Sequence, residues 1–207
     1  MRRAALLALA LLAAPATAQG ISPPQPYLDE GETIEVQLAL DLNDDGLKDL
    51  AYVAVQENRR RLTVVSFTFD EDWTADLVSQ TLALDPYPLG DAVLKLKGNV
   101  LLFEELTGGT TAVFSTHRFR WDNKLAAMRL IGLDATLYSR TFAHDGVKAS
   151  WNLLTGDFTS HTLKLRGGDS DIAYDEVDKK RKKKRSAPVR LEQSPTGDDL
   201  LGWPGGS

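Results

Sequence analysis

Cysteine is absent from all 207 residues. That excludes thiol catalysis, zinc–cysteine centres and lipid attachment through a cysteine. It also excludes the disulfides that staple many small exported domains. Histidine is scarce: His117, His144 and His161 stand alone, with no H-E-x-x-H and no paired ligand spacing. Each reads as a strand-surface or turn residue rather than a ligand. Neither G-x-S-x-G nor S-x-x-K occurs, so no serine-hydrolase pattern is present. Glu104 and Glu105 are adjacent on a strand pattern and point to opposite faces, which does not pair them for glycoside hydrolysis. Asp70, Glu71 and Asp72 read as a solvated turn.

Long apolar runs are also missing, apart from Ala4–Ala14. This Ala/Leu stretch is too short to span a bilayer as a helix. Arg2 and Arg3 precede it, Pro15 breaks it, and Ala16-Thr17-Ala18 supplies small residues for cleavage. Residues 1–18 therefore read as a secretory signal peptide, and the mature chain is expected to begin at Gln19 in the periplasm or outside the cell. Losing Arg2 and Arg3 changes the balance from 24 basic and 29 acidic residues to 22 and 29. So acidic a chain is not a general nucleic-acid binder. The 189 residues left are enough to bury one core without staples.

What remains is strand-like. Residues 19–32 carry three prolines and few core residues, and read as an extended entry segment. From Thr33 the pattern has period two: Ile34, Val36, Leu38 and Leu40 alternate with polar or small residues. Leu50–Gln56 reads as a strand buried on both faces, and Arg61–Phe69 is rich in β-branched and aromatic residues. Further strands are expected at Leu77–Leu84, Ala92–Lys97, Val100–Leu106, Thr111–Trp121, Leu125–Tyr138, Val147–Leu154 and Phe158–Leu165. Turn residues such as Gly98-Asn99, Gly108-Gly109 and Asp145-Gly146 separate them. Gly132 marks a bulge or bend. The expected fold is one all-β domain over residues 33–192, with about ten antiparallel strands in an incomplete propeller, a sandwich or a barrel-like meander. Pro188–Glu192 is a candidate closing strand, and residues 193–207 read as a flexible Gly/Pro-rich tail.

The sharpest chemical pattern is Asp41-Leu42-Asn43-Asp44-Asp45-Gly46-Leu47-Lys48-Asp49. Side-chain oxygens at Asp41, Asn43, Asp45 and Asp49 fall at loop positions 1, 3, 5 and 9, and the Leu47 carbonyl falls at position 7. A hard cation such as Ca2+ takes six to eight oxygens at about 2.3–2.6 Å. Gly46 permits the backbone reversal that would wrap such a loop. Position 12 is Tyr52 and the flanks are strands, so this is not an EF-hand. The reading is a structural calcium site; the alternative is an acidic hairpin turn held by its own side-chain hydrogen bonds.

The other distinctive segment is Lys179, Lys180, Arg181, Lys182, Lys183, Lys184 and Arg185, a basic loop that follows an acidic stretch. It reads either as a solvated loop balanced by those acids or as a docking element for an acidic partner or an anionic envelope polymer.

The loop at 41–49 resembles the inter-strand calcium loops of FG-GAP and VCBS repeats in integrin-type propellers, over residues Ile34–Val55. Trp121, Arg129, Leu130, Ile131 and Gly132, followed by Trp151–Gly156, resemble a family of bacterial exported β-proteins. Some relatives in that family are periplasmic immunity proteins similar to lysozyme inhibitors, which block peptidoglycan-hydrolase effectors of type IV secretion systems. The resemblance, over about residues 33–192, implies a non-enzymatic protein that binds a cell-wall hydrolase. A cell-envelope adhesion or glycan-binding module is the second expectation, and a hydrolase with unrecognised residues the third.

Overall fold

Alternating strand patterns joined by short turns favour a meander, because each strand can pair with the one just made. A computed structural model of the protein describes residues 25–69, 75–167 and 173–202. Residues 1–18, expected to be a signal peptide, and residues 70–72 lie outside the described residues. Twelve strands form two antiparallel sheets. The first sheet runs β1 (Thr33–Leu40), β2 (Asp49–Gln56), β3 (Arg59–Phe69) and β4 (Ala75–Leu84) in sequence order. The second contains β5 (Val93–Lys97), β6 (Val100–Gly108), β7 (Thr111–Asp122), β8 (Ala127–Ser139), β9 (Gly146–Asn152), β10 (Asp157–Leu165) and β11 (Tyr174–Lys183). A short β12 (Val189–Arg190) pairs with β8. The all-β expectation holds, and the described strands do not close into a barrel.

Leu40, Val53, Leu62 and Val64 of the first sheet share one core with Leu101, Phe103, Phe119, Leu130 and Leu133 of the second. The other face of the first sheet carries a smaller cluster of Leu50, Tyr52, Ala54 and Val65. Residues 25–32 cross that face: Tyr52 Oη donates to the Tyr27 carbonyl at 2.9 Å, and Glu32 is clamped by Arg61 at 2.6 Å. The entry segment is thus tied down by hydrogen bonds although it carries little apolar surface.

Bulges direct side chains that a regular strand would misplace. In β1 the register shifts between Ile34 and Val36, leaving Glu35 without an opposing residue. Ile34 then packs on the small cluster while Val36 and Leu38 face the main core. A second bulge opposes Arg118–Phe119 to Leu130 and Gly132, leaving Ile131 as the extra residue. This is the irregularity expected beside Gly132.

Between the sheets lies a buried ion triad. Arg60 on β3 is 2 % exposed. Its Nε and Nη2 donate to Glu35 at 2.8 and 2.9 Å, and its Nη1 donates to Glu105 of β6 at 3.0 Å. Burial raises the pKa of Glu105, and its single contact with Arg60 does not reverse this. Burial also opposes the charge on Glu35, but the two-pronged Arg60 contact and the Ala92 N–H outweigh it and lower that pKa. The same guanidinium therefore leaves its two carboxylates unequally satisfied.

Two expectations are corrected. Residues 179–185 do not form a basic loop: Lys179–Lys183 lie within β11. Such a run has no apolar alternation to mark it, but an edge strand needs none when both of its faces meet solvent. The stretch 193–207 is not a free tail over its described part. Leu191–Gln193 form a single 3-10 turn, and α1 (Gly197–Leu201) follows. Thr196 and Asp199 form a reciprocal capping box, and Gly202 ends the helix at φ +69°. Leu191 and Leu200 enter the core. Gly197 sits so close to β7 that a Cβ there would lie 2.9 Å from Ser115. Among the glycines that suggested fraying, Gly202 caps the helix and Gly197 lets it approach the sheet.

Replacing Arg60 with Ala should destabilise the fold by about 3–5 kcal/mol, because two buried carboxylates lose their counter-charge. Arg59→Ala, on the exposed side of the same turn, should cost less than about 1 kcal/mol. Urea denaturation of both variants measures the contrast; equal losses would mean that the triad does not join the sheets.

Candidate functional site

The loop between β1 and β2 is held from inside by its own side chains. Leu42 is fully buried and anchors it to the core. Asp41 Oδ2 accepts the Gly46 N–H at 3.0 Å, Asn43 Oδ1 accepts that of Asp45 at 3.2 Å, and Asp45 Oδ1 accepts that of Leu47 at 2.7 Å. Asn43 Nδ2 donates to Asp45 Oδ2 and to the Phe67 carbonyl. Two left-handed residues, Asp44 at φ 60° and Gly46 at φ 83°, curl the backbone enough for these contacts.

Asp41, Asn43 and Asp45 are thus brought together, with one oxygen of each spent on a loop amide. Asp49 is placed differently. It is fully buried, and its two oxygens accept the Leu42 and Phe67 N–H groups at 2.7 and 3.2 Å. It closes the base of the loop. Burial pushes its pKa up to about 6, and the charges of Asp45 and Asp41 add to the rise. Among the described residues no three His, Asp or Glu side chains converge into a ready metal cluster. One atom nevertheless fits a cation ligand: Asp41 Oδ1 is buried and has no hydrogen-bond partner. A carboxylate oxygen left idle in this way suits a hard cation and serves nothing in an empty turn.

Four of the seven cations at 179–185 divide between two sides. On one side of β11, Lys182 Nζ lies 5.0 Å from the Phe158 ring, and Lys184 Nζ follows at 4.1 Å from Trp151. On the other, Arg181 and Lys183 meet Asp157 at 3.1 and 3.0 Å. The Trp151 indole donates to the Lys184 carbonyl at 2.8 Å, which ties the end of the run to β9. Burial, followed by the neighbouring charge of Lys182, lowers the Lys184 pKa. β11 is the terminal strand of its sheet, and among the described residues nothing pairs with its outer edge. A bulge opposite His161, with Asp178 at φ 51°, separates the acidic start of the strand from the basic run.

The histidines do not converge. His144 lies in a turn beside Thr111, and His161 lies 3.4 Å from Glu176. His117 departs from the surface position expected of it: it is 1 % exposed, between Phe103 and Phe119. The signal was in the strand itself, since Arg118 and Arg120 occupy the opposite parity and leave Ser115, His117 and Phe119 facing inward. Burial lowers the His117 pKa to about 4, against a partial rise from its hydrogen bond to the Pro195 carbonyl.

The folded form therefore resists a proton that the unfolded chain accepts at about pH 6.5. The stability linked to His117 is complete above that pH, is lost as the pH falls toward 4, and amounts to about 3 kcal/mol. His117→Gln should flatten the stability curve between pH 6.5 and 4 relative to the wild type, as measured by urea denaturation at each pH. Parallel curves would contradict the assignment.

No family model matches the chain, and neither a curated protein nor a solved structure shows significant similarity to it.

Proposed function

We propose that this is an exported, non-enzymatic β-sandwich protein that binds an acidic macromolecular partner in the periplasm or outside the cell. Its leading role is as an inhibitor or immunity protein against a peptidoglycan hydrolase. The observation that carries this reading is the edge strand β11, whose outer backbone groups are unpaired among the described residues and whose cations stand on both faces. Lysines at an edge can simply discourage sheet-to-sheet aggregation. Here, however, Lys182 and Lys184 are held over Phe158 and Trp151, which fixes their charge in place. An ordered charge array favours recognition over mere repulsion. The same array would also suit an anionic envelope polymer, the second reading.

The loop at 41–49 serves, in this proposal, as a structural calcium site in which Asp41, Asn43, Asp45 and the Leu47 carbonyl would hold the ion, while Asp49, the remaining expected ligand, braces the base of the loop through the Leu42 and Phe67 N–H groups. The idle Asp41 Oδ1 supports it. The ion would offset the mutual repulsion of the loop acids and fasten β1 to β2 in a chain without disulfides.

Two outcomes follow. Calcium added to chelator-treated protein should raise the melting temperature by several degrees, equivalent to about 2.7 kcal/mol at one hundred times Kd. Asp45→Ala should remove that response and remain folded; an unchanged wild-type melting temperature in millimolar calcium would exclude the site. For the partner, wild type and a variant with Gln at all seven positions 179–185 should be compared against purified peptidoglycan hydrolases and lipopolysaccharide. Association of the wild type should slow steeply with salt, and the Gln variant should associate at least about tenfold more slowly at low salt. Binding to a hydrolase supports the inhibitor role, binding to lipopolysaccharide alone supports the envelope reading, and identical behaviour of both proteins toward every ligand contradicts a binding role for β11.

A further inference from the structure

β11 presents an open edge that is regular over its basic half. Lys180 to Lys183 pair without interruption against Ser160 to Asp157 of β10. The bulge at Asp178 and Lys179 ends that stretch. Within it, alternate residues point their N–H and C=O groups outward, and among the described residues nothing pairs with them. Such an edge is a template for one more strand.

The two faces of this stretch differ in charge. Cross-strand partners share a face, so Lys180 and Lys182 lie on the side of Ser160 and Phe158. Arg181 and Lys183 lie on the side of Thr159 and Asp157. This second side already has its counter-charge: Asp157 Oδ1 meets both cations, and the Thr155 carbonyl accepts from Lys183 at 3.3 Å. The first side has none. Lys182 and Lys184 stand over Phe158 at 5.0 and 5.6 Å, and Lys184 also over Trp151. Among the described residues Lys180, Lys182 and Lys184 have no ion-pair partner. Burial lowers the Lys184 pKa and the Lys182 charge adds to the fall, as happens where like charges meet without an acid between them.

We propose that β11 receives an extended polypeptide segment of its partner as an added strand over Lys180–Lys183, with acidic side chains at alternate positions facing Lys180, Lys182 and Lys184. The inference rests on β11 being the partner-binding edge and specifies how that edge is used. Backbone pairing supplies the affinity, and acids spaced by two supply the selectivity. A basic strand would be repelled. A second copy of β11 fits poorly. Antiparallel pairing that set its acids against these cations would centre on the bulge at Asp178 and Lys179, where the ladder is broken.

The test uses capped peptides of about eight residues at low salt, read by the backbone amide shifts of Lys180–Lys184. A peptide of alternating glutamate and threonine should shift these signals saturably at roughly millimolar concentration. The same composition with its glutamates contiguous should bind at least about fivefold more weakly. N-methylation of all threonine amides, or of all glutamate amides, blocks one backbone edge of the peptide. At least one of these two peptides should lose about tenfold in affinity. The Lys182→Gln, Lys184→Gln double variant keeps the Asp157 pairs and should also lose about tenfold, with a dispersed spectrum showing that it is folded. Undiminished binding by both methylated peptides would overturn strand addition and leave β11 a binding edge guided by charge alone. Equal binding by the contiguous peptide, an unaffected double variant, tighter binding of a sulfated tetrasaccharide of the same charge, or no saturable shift with any peptide would each overturn this proposal alone. Equal binding of every peptide by wild type and by the variant with Gln at all seven positions 179–185 would overturn the binding role of β11 as well.

Discussion

Arg60 is the only lysine or arginine buried among the described residues, and both sheets are arranged around it. Its guanidinium takes Glu35 from the first sheet and Glu105 from the second. A buried pair of this kind gains little net stability over an apolar contact, but leaving either side unpaired is expensive. The triad therefore acts mainly as a constraint on how the sheets meet. The bulge in β1 belongs to it, since without the extra residue Glu35 would not share the inner side with Val36. The unequal satisfaction of Glu35 and Glu105 also belongs to it.

Much of this architecture was legible in the chain. The strands from Thr33 to Leu165 alternate or run apolar between Gly, Asn and Asp turns, and ten of them emerged within a few residues of where that pattern put them. The position beside Gly132 became a bulge. Two segments were illegible because neither carries a periodic apolar pattern. β11 is held by backbone pairing with β10, by Asp157 and by aromatic rings under lysine ammonium groups. The C-terminal segment rests on a capping box and on a glycine that admits close contact, with Leu191 and Leu200 supplying the apolar anchors.

The candidate sites divide in the same way. The spacing of Asp41, Asn43, Asp45 and Gly46 suggested a calcium loop, with a self-bonded turn as the alternative, and the hydrogen bonds within the loop follow that spacing. The inward turn of Asp49 depends on Phe67 of β3, a partner 18 residues away that no local pattern could name.

The proposed binding surface is β11. Amide hydrogen exchange of the protein, alone and with a bound acidic hydrolase or lipopolysaccharide, addresses it directly. Residues 174–183 form an edge strand whose outward amides should exchange quickly when free, with Lys184 and Arg185 just beyond its end. A bound partner should slow exchange over residues 174–185 and leave β2 and β3 unchanged. Protection elsewhere, with residues 174–185 unaffected, would contradict it.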